Sequence, residues 1–248
     1  MSAIRVAVLG ASGRMGQAVC AAAEAADDVE LVGRFDVGDE LGDLAGADVA
    51  VEFTVPDASP ANVAHCVDRG VHVVVGTTGW TEERLTDLRG ALEGRPGVGV
   101  LVAPNFAIGA VLMMEFARRA APFFESVEIV ELHHPDKVDA PSGTASRTAQ
   151  LVGQARDQAG VAPVPDATQH DPDGARGATV AGIPVHSVRL RGLVAHQEVL
   201  LGGSGEMLTV RHDSFDRVSF MSGVLTGVRR VADHPGLTVG LEHYLGLD

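Results

Sequence analysis

Over the first hundred residues, short apolar runs alternate with longer stretches of helical periodicity. The runs at 4–9, 30–35, 49–53, 71–75 and 98–103 are Val-, Ile- and Leu-rich and read as strands. Between them, 15–26, 59–69 and 81–93 are long enough to serve as crossover helices. Strand, helix and strand repeated in this way predict a parallel sheet covered on both faces. The punctuation agrees, because Pro56 and Pro60 bracket the entry to the second helix and Gly70 follows its end.

The pattern changes after Asn105. An apolar helical stretch at 107–124 leads into a strand at 127–132 and a polar segment at 133–144, and a further helix is expected over 142–159. The next twenty or so residues, to Gly182, are rich in Pro, Asp, Gly and Ala and read as a surface loop. Strand-like runs follow at 185–190, 196–201 and 207–212, and the glycines and serine at 202–205 between the last two are a hairpin signal. A final amphipathic helix at 215–232 has little left to pack on locally and is expected to return to the first domain. The predicted class is α/β, a Rossmann-type doubly wound parallel sheet plus a second α+β domain with a mixed sheet. The expected dinucleotide-binding domain is 1–105 completed by 215–248. The expected substrate-binding and oligomerisation domain is 106–214.

The first strand runs into Gly10-Ala11-Ser12-Gly13-Arg14-Met15-Gly16 and then a helix. This GxxGxxG turn suits a dinucleotide pyrophosphate: glycines allow close backbone approach, and free N–H groups at a helix start attract its charge. Asp36 ends the second strand, 20 positions after Gly16 (36 minus 16), where an acid can bind ribose hydroxyls. A carboxylate there repels a 2′-phosphate and favours NADH over NADPH, although Arg14 and Arg34 could soften the preference, so NADH and NADPH both stand as cofactors. Two further strand-end turns, Gly76-Thr77-Thr78-Gly79 and Ala103-Pro104-Asn105-Phe106, can offer backbone groups to the nicotinamide end.

The polar segment, from Glu131 to Ala145, packs His133, His134, Lys137 and a helix start into fifteen residues. Pro135 excludes a continuing helix and Pro141 suits a first helical turn. The N–H groups of Ser142, Gly143 and Thr144 then make a natural carboxylate site. Lys137 is the only lysine beside 18 arginines, which points to a task that guanidinium cannot perform: lysine can give up its proton, and arginine effectively cannot. Adjacent histidines at a strand end point to opposite sides, so no shared metal is expected. One imidazole facing the site as an acid or base is the better reading.

Composition narrows the partners. Formal charge is 19 minus 33, or −14, which argues against nucleic acid and anionic membrane surfaces. Hydrophobic residues make up 46% of the chain, yet no run approaches the roughly 18 apolar residues of a membrane span. The first residues pass straight into a strand without the pattern of a signal peptide. Cys20 and Cys66 lie in helix-patterned segments with no close partner. A cytoplasmic location is therefore expected.

Taken together, GxxGxxG, Gly-Thr-Thr-Gly, Ala-Pro-Asn-Phe and above all Glu-Leu-His-His-x-x-Lys-x-Asp-Ala-Pro-Ser-Gly-Thr-Ala resemble the 4-hydroxy-tetrahydrodipicolinate reductase family. The resemblance implies an NAD(P)H-dependent step of bacterial diaminopimelate and lysine synthesis, in which a small cyclic dicarboxylate is dehydrated and reduced to tetrahydrodipicolinate. By position, it makes His133 a proton donor or acceptor and Lys137 the proton donor, with His134, Gly143 and Thr144 binding substrate. It gives Gly10, Ala11, Ser12, Gly13, Arg14, Met15, Asp36, Gly76, Thr77, Thr78, Ala103, Pro104, Asn105 and Phe106 to the cofactor. It also implies a homotetramer assembled through the second-domain sheets. The alternatives from the residues alone are another small oxidoreductase acting on an amino or keto dicarboxylate, or a non-catalytic NAD(H)-sensing regulator.

Overall fold

The computed structural model describes residues 2–247. In chain order the elements are β1 (Ile4–Leu9), α1 (Arg14–Glu24), β2 (Val29–Phe35), β3 (Val49–Glu52), α2 (Ser59–Asp68), β4 (His72–Val75), α3 (Glu82–Glu93) and β5 (Gly99–Val102). There follow α4 (Ile108–Ala120), β6 (Ser126–His133), α5 (Gly143–Gln158), β7 (Ala178–Val180), β8 (Ile183–Arg189), β9 (Ala195–Gly203) and β10 (Glu206–Ser214). The chain closes with α6 (Met221–Arg230), β11 (Gly236–Val239) and the short α7 (Glu242–Leu245). Two compact units result, one running up to Ile108 and resuming at Arg217, the other Gly109–Asp216.

The first unit is a six-stranded parallel sheet in the order β11-β5-β4-β3-β1-β2. Every residue of β3, β4 and β5 except His72 is buried, which is why these strands are near-continuous Val, Ala and Leu rather than alternating. The strand order reverses between β1 and β3. Loops leaving the carboxyl ends of those two strands therefore diverge to opposite faces and leave a crevice, the usual ligand position in such sheets. The sixth strand, β11, was not foreseen. It is four residues at a sheet edge, and none of them is fully buried, so its sequence carries little strand signal.

The helix expected over 215–232 is broken: Arg217–Phe220 is a 3-10 turn and only Met221 onward is α-helical. It belongs to the first unit and packs on α1, β1 and β4. The helix expected to reach 124 ends at Ala120, where Pro122 falls in a 3-10 turn; proline cannot extend the helical hydrogen bonding.

The second unit holds a five-stranded mixed sheet, β10-β9-β6-β8-β7, in which β6 and β8 are parallel and the other pairs antiparallel. The short β7 lies inside the segment expected to be loop. Along β6 the buried positions alternate, so that Val127, Ile129 and Glu131 share one face. Val127 and Ile129 pack with Ala145, Ala149 and Val152 of α5. The row that is apolar along the strand thus ends, beside the start of α5, in Glu131 and then His133.

Candidate active site

In the first unit the glycine loop is shaped by close backbone approach. Gly10 has φ +83°, and a Cβ there would lie 2.2 Å from the Phe53 carbonyl oxygen. A Cβ on Gly16 would lie 2.0 Å from the Gly10 carbonyl oxygen, while at Gly13 the tightest approach relaxes to 3.2 Å. Helix α1 starts immediately after, with no side-chain cap on Gly13 and no acid in its first turn. Its first N–H groups are left to an external anion, so the cradle fits a pyrophosphate.

Asp36 is brought against this loop. Its carboxylate accepts from the Ser12 backbone N–H at 3.0 and 3.1 Å and from the Ser12 hydroxyl at 2.7 Å. Gly10, Ser12, Gly13 and Asp36 line one cavity of about 470 Å³ together with Phe35 and Phe53. Arg14, Met15, Gly76, Thr77 and Thr78 line a second, of about 310 Å³, which Gly13 and Phe53 share. Ala11 lines a third, of about 390 Å³, along with Arg34. Arg34 is ion-paired with Glu24, so its charge is already matched. Ala103, Pro104, Asn105 and Phe106 follow β5 and line none of these three hollows. There, the Asn105 side-chain oxygen accepts from the Ala107 N–H at 2.8 Å, and Phe106 is buried with its ring 5.8 Å from that of Phe53.

Three residues of this unit escaped the sequence reading. Phe53 follows β3 and occupies the space a Cβ on Gly76 would need, 2.0 Å from its ring. The Thr54 N–H is shared between Thr77 Oγ1 at 2.8 Å and Glu52 Oε1 at 3.2 Å. Glu52 is fully buried and accepts from the Ser59 hydroxyl at 2.7 Å, and that oxygen in turn accepts from Trp80 Nε1 at 3.2 Å. An acid inside a Val-rich strand was the available signal, since a buried carboxylate needs several donors.

In the second unit His133 ends β6 and points the way Glu131 does, as i and i+2 must. The His133 side chain is 13% exposed and its Nδ1 lies 2.5 Å from Glu131 Oε2, whereas His134 is exposed. Glu131 is fully buried. Arg189, beside His133 on β8, grips it with both guanidinium branches, Nη1 to Oε2 and Nη2 to Oε1, each at 2.8 Å. The Ser142 backbone N–H donates to Oε1 at 3.1 Å. Burial by itself would push the Glu131 carboxyl up, but hydrogen bonds from Arg189, Ser187 and His133 outweigh it and hold it below the usual carboxylate range. For His133 burial is the largest influence and pushes the imidazole down; Glu131 opposes this, Lys137 and Arg189 reinforce it, and the net shift is downward.

Lys137 Nζ donates to Asp139 Oδ1 at 2.7 Å. Burial pushes the Asp139 carboxyl up, and Lys137, helped by the backbone N–H groups of Asp139 and Gly143, more than compensates and leaves it lowered. Ser142 is the N-cap of α5, its hydroxyl accepting from the Ala145 N–H at 3.2 Å. Two local expectations change. The Ser142 N–H is spent on Glu131 rather than pointing outward, and Pro141 precedes the cap instead of sitting in the first turn. A Cβ on Gly143 would meet nothing within 4 Å. Glu131, Asp139 and Arg189 were not singled out from the sequence, although the first two lie within the polar segment itself.

A family model described as dihydrodipicolinate reductase, N-terminus, matches residues 4–106, and one described as dihydrodipicolinate reductase, C-terminus, matches residues 109–245. The chain belongs to the dihydrodipicolinate reductase family. It is 64% identical over 250 residues to a 4-hydroxy-tetrahydrodipicolinate reductase of Streptomyces coelicolor, with both chains covered completely. It is 62% identical over 245 residues to the enzyme of that name in Cutibacterium acnes, covering 99% of this chain and all of the other. Among solved structures, the dipicolinate-bound dihydrodipicolinate reductase from Paenisporosarcina sp. TG-14 superposes with a TM-score of 0.86 at 40% identity, covering 97% of this chain and 99% of that one. As a member of this family the chain is an oxidoreductase that uses NADH or NADPH.

Proposed function

We propose that this family member reduces 4-hydroxy-tetrahydrodipicolinate to tetrahydrodipicolinate in diaminopimelate and lysine biosynthesis, and that it does so with the residues assembled above. The observation that carries the assignment of the site is that Lys137, beside the start of α5, already holds a carboxylate, that of Asp139, at 2.7 Å. Groups that hold one carboxylate can hold that of a cyclic dicarboxylate; Thr144 follows Gly143, and the His134 carbonyl accepts from the Lys137 N–H at 3.3 Å. Gly10, Ala11, Ser12, Gly13, Arg14, Met15 and Asp36 would hold the pyrophosphate and ribose of the nicotinamide cofactor. Gly76, Thr77 and Thr78, with Ala103, Pro104, Asn105 and Phe106, would hold the nicotinamide end. When bound, the cofactor supplies a hydride.

The remaining chemistry is proton movement. Dehydration takes a proton from the ring carbon between the imine carbon and the hydroxyl-bearing carbon, and the hydroxyl leaves as water after gaining a proton. The enamine left by reduction takes a proton at that same ring carbon. One hydride and one proton enter and one water leaves. His133 and Lys137 are the groups that would carry these transfers, and Lys137 together with the α5 start would fix the ring, turning an encounter into an oriented reaction.

A cytoplasmic homotetramer completes the reading. It is supported by the open face of the second sheet, where β6 alternates buried and half-buried positions and Met207 on the edge strand β10 is 68% exposed, and no described helix is long and apolar enough to cross a membrane. Purified protein supplied with the condensation product of pyruvate and aspartate semialdehyde should consume both NADH and NADPH, with NADH ahead. No loss of reduced-nicotinamide absorbance with either would refute the assignment.

A further inference from the structure

We infer that Glu131, gripped by Arg189, is a positioning residue that fixes the His133 imidazole as its Nδ1–H tautomer and presents Nε2 as a proton acceptor. The inference deepens the proposed function and rests on His133 acting in it. An ionised carboxylate can only accept hydrogen bonds. Its three other hydrogen bonds, two from the Arg189 guanidinium and one from the Ser142 N–H, are all donated to it by N–H groups, as the ionised form requires. The proton in the 2.5 Å contact therefore belongs to His133 Nδ1. A neutral ring protonated at Nδ1 carries its lone pair on Nε2.

The charged groups facing this imidazole come from three places. Glu131 precedes it on β6, Lys137 approaches from the loop that follows, and Arg189 stands beside it on β8. On the remaining neighbour, β9, the residue paired with His133 is Ala195, which carries no charge. Arg189 also donates to the Asp139 backbone carbonyl at 2.7 Å, so one guanidinium ties the carboxylate that orients His133 to the loop that carries Lys137. Burial, Lys137 and Arg189 favour the neutral ring, and the hydrogen bond to Glu131 orients it.

A neutral acceptor suits both proton steps. Nε2 takes the proton from the ring carbon as the C–O bond breaks, while the leaving hydroxyl gains its proton from the Lys137 ammonium. After reduction the imidazolium returns its proton to the same carbon of the enamine, and Lys137 recovers its own from solvent. The balance is one hydride and one solvent proton in, one water out.

The test uses the intact protein labelled with 15N-histidine, with the His133 signals assigned by their loss in His133→Gln. In the wild type the ring should titrate below its ordinary midpoint and show the Nδ1–H pattern. Glu131→Gln should lose that pattern and titrate lower still, because the one group raising the His133 pKa is gone. Its kcat should fall about 100-fold with KM for NADH unchanged, and the acid limb of kcat/KM should move to lower pH. Glu131→Asp should restore part of kcat. If Glu131→Gln does not fold, Arg189→Lys, which keeps the charge and removes the fork, should show the same changes to a smaller degree. A folded Glu131→Gln protein with an unmoved tautomer and titration would overturn the inference, and so would altered signals with wild-type kcat. Wild-type kcat in His133→Gln itself would instead locate the failure in the proposed function.

Discussion

A Cβ at Gly16 would fall 2.0 Å from a backbone carbonyl oxygen, whereas one at Gly143 would meet nothing within 4 Å. Both glycines stand at the beginning of a helix next to a candidate anion site, yet the sites are built by different means. The 10–16 loop is fixed by what cannot fit, since the close approaches at Gly10 and Gly16 leave no room for a side chain at either position and what it offers an anion is backbone N–H groups. The 133–144 loop is fixed by what pairs. Glu131, His133, Lys137, Asp139 and Arg189 form a chain of ions and hydrogen bonds, and the glycine in it is free of packing constraint. A backbone cradle is general for any dinucleotide; a paired side-chain network is particular to one substrate chemistry.

The difference can be broken at several points. The largest effect is expected for Gly16→Ala. Its methyl can be seated only by moving the Gly10 carbonyl, which should cost about 3 kcal/mol or more of stability and abolish cofactor binding, read by thermal unfolding and NADH titration. Next comes Lys137→Arg, which keeps the charge but not the transferable proton. It should fold normally, bind NADH normally and lose about 100-fold in kcat. Lys137→Ala should also raise KM for the dicarboxylate, and wild-type rates in both variants would remove Lys137 from the mechanism.

Smaller effects follow from the edges of each loop. Asp36→Ala removes the carboxylate held by Ser12 and should move the NADPH-to-NADH ratio of kcat/KM about fivefold toward NADPH, or about 1 kcal/mol. Gly143→Ala sharpens the comparison most directly. Stability should change by less than about 0.5 kcal/mol, because the space is open, while KM for the substrate rises roughly fivefold. A large loss of stability there would mean that the second loop, too, depends on packing.

The same contrast explains what could be read from the sequence. The glycine loop, the strands around it and Asp36 were legible because backbone constraints leave residue types at fixed spacings. The polar segment stood out through its density of His, Lys and Pro. Glu131 was in plain view at i−2 from His133, but its partner Arg189 lies 58 positions on, joined only through the parallel pairing of β6 and β8. Phe53 and Thr54 were hidden for a related reason: their role depends on Gly76 and Thr77 arriving alongside from the next strand. Contacts between strands distant in sequence leave no local pattern. The edge strands β7 and β11 were missed because short, half-open strands need no particular periodicity.

The chain contains a single tryptophan, and Trp80 is hooked through the Ser59 hydroxyl to buried Glu52, whose other oxygen accepts from the Thr54 N–H that also reaches Thr77. The indole is thus a one-site optical gauge wired to the loop assigned to the nicotinamide end. Its emission is expected to change when NADH is added to the unmodified protein, and an unchanged spectrum at saturating NADH would count against that assignment.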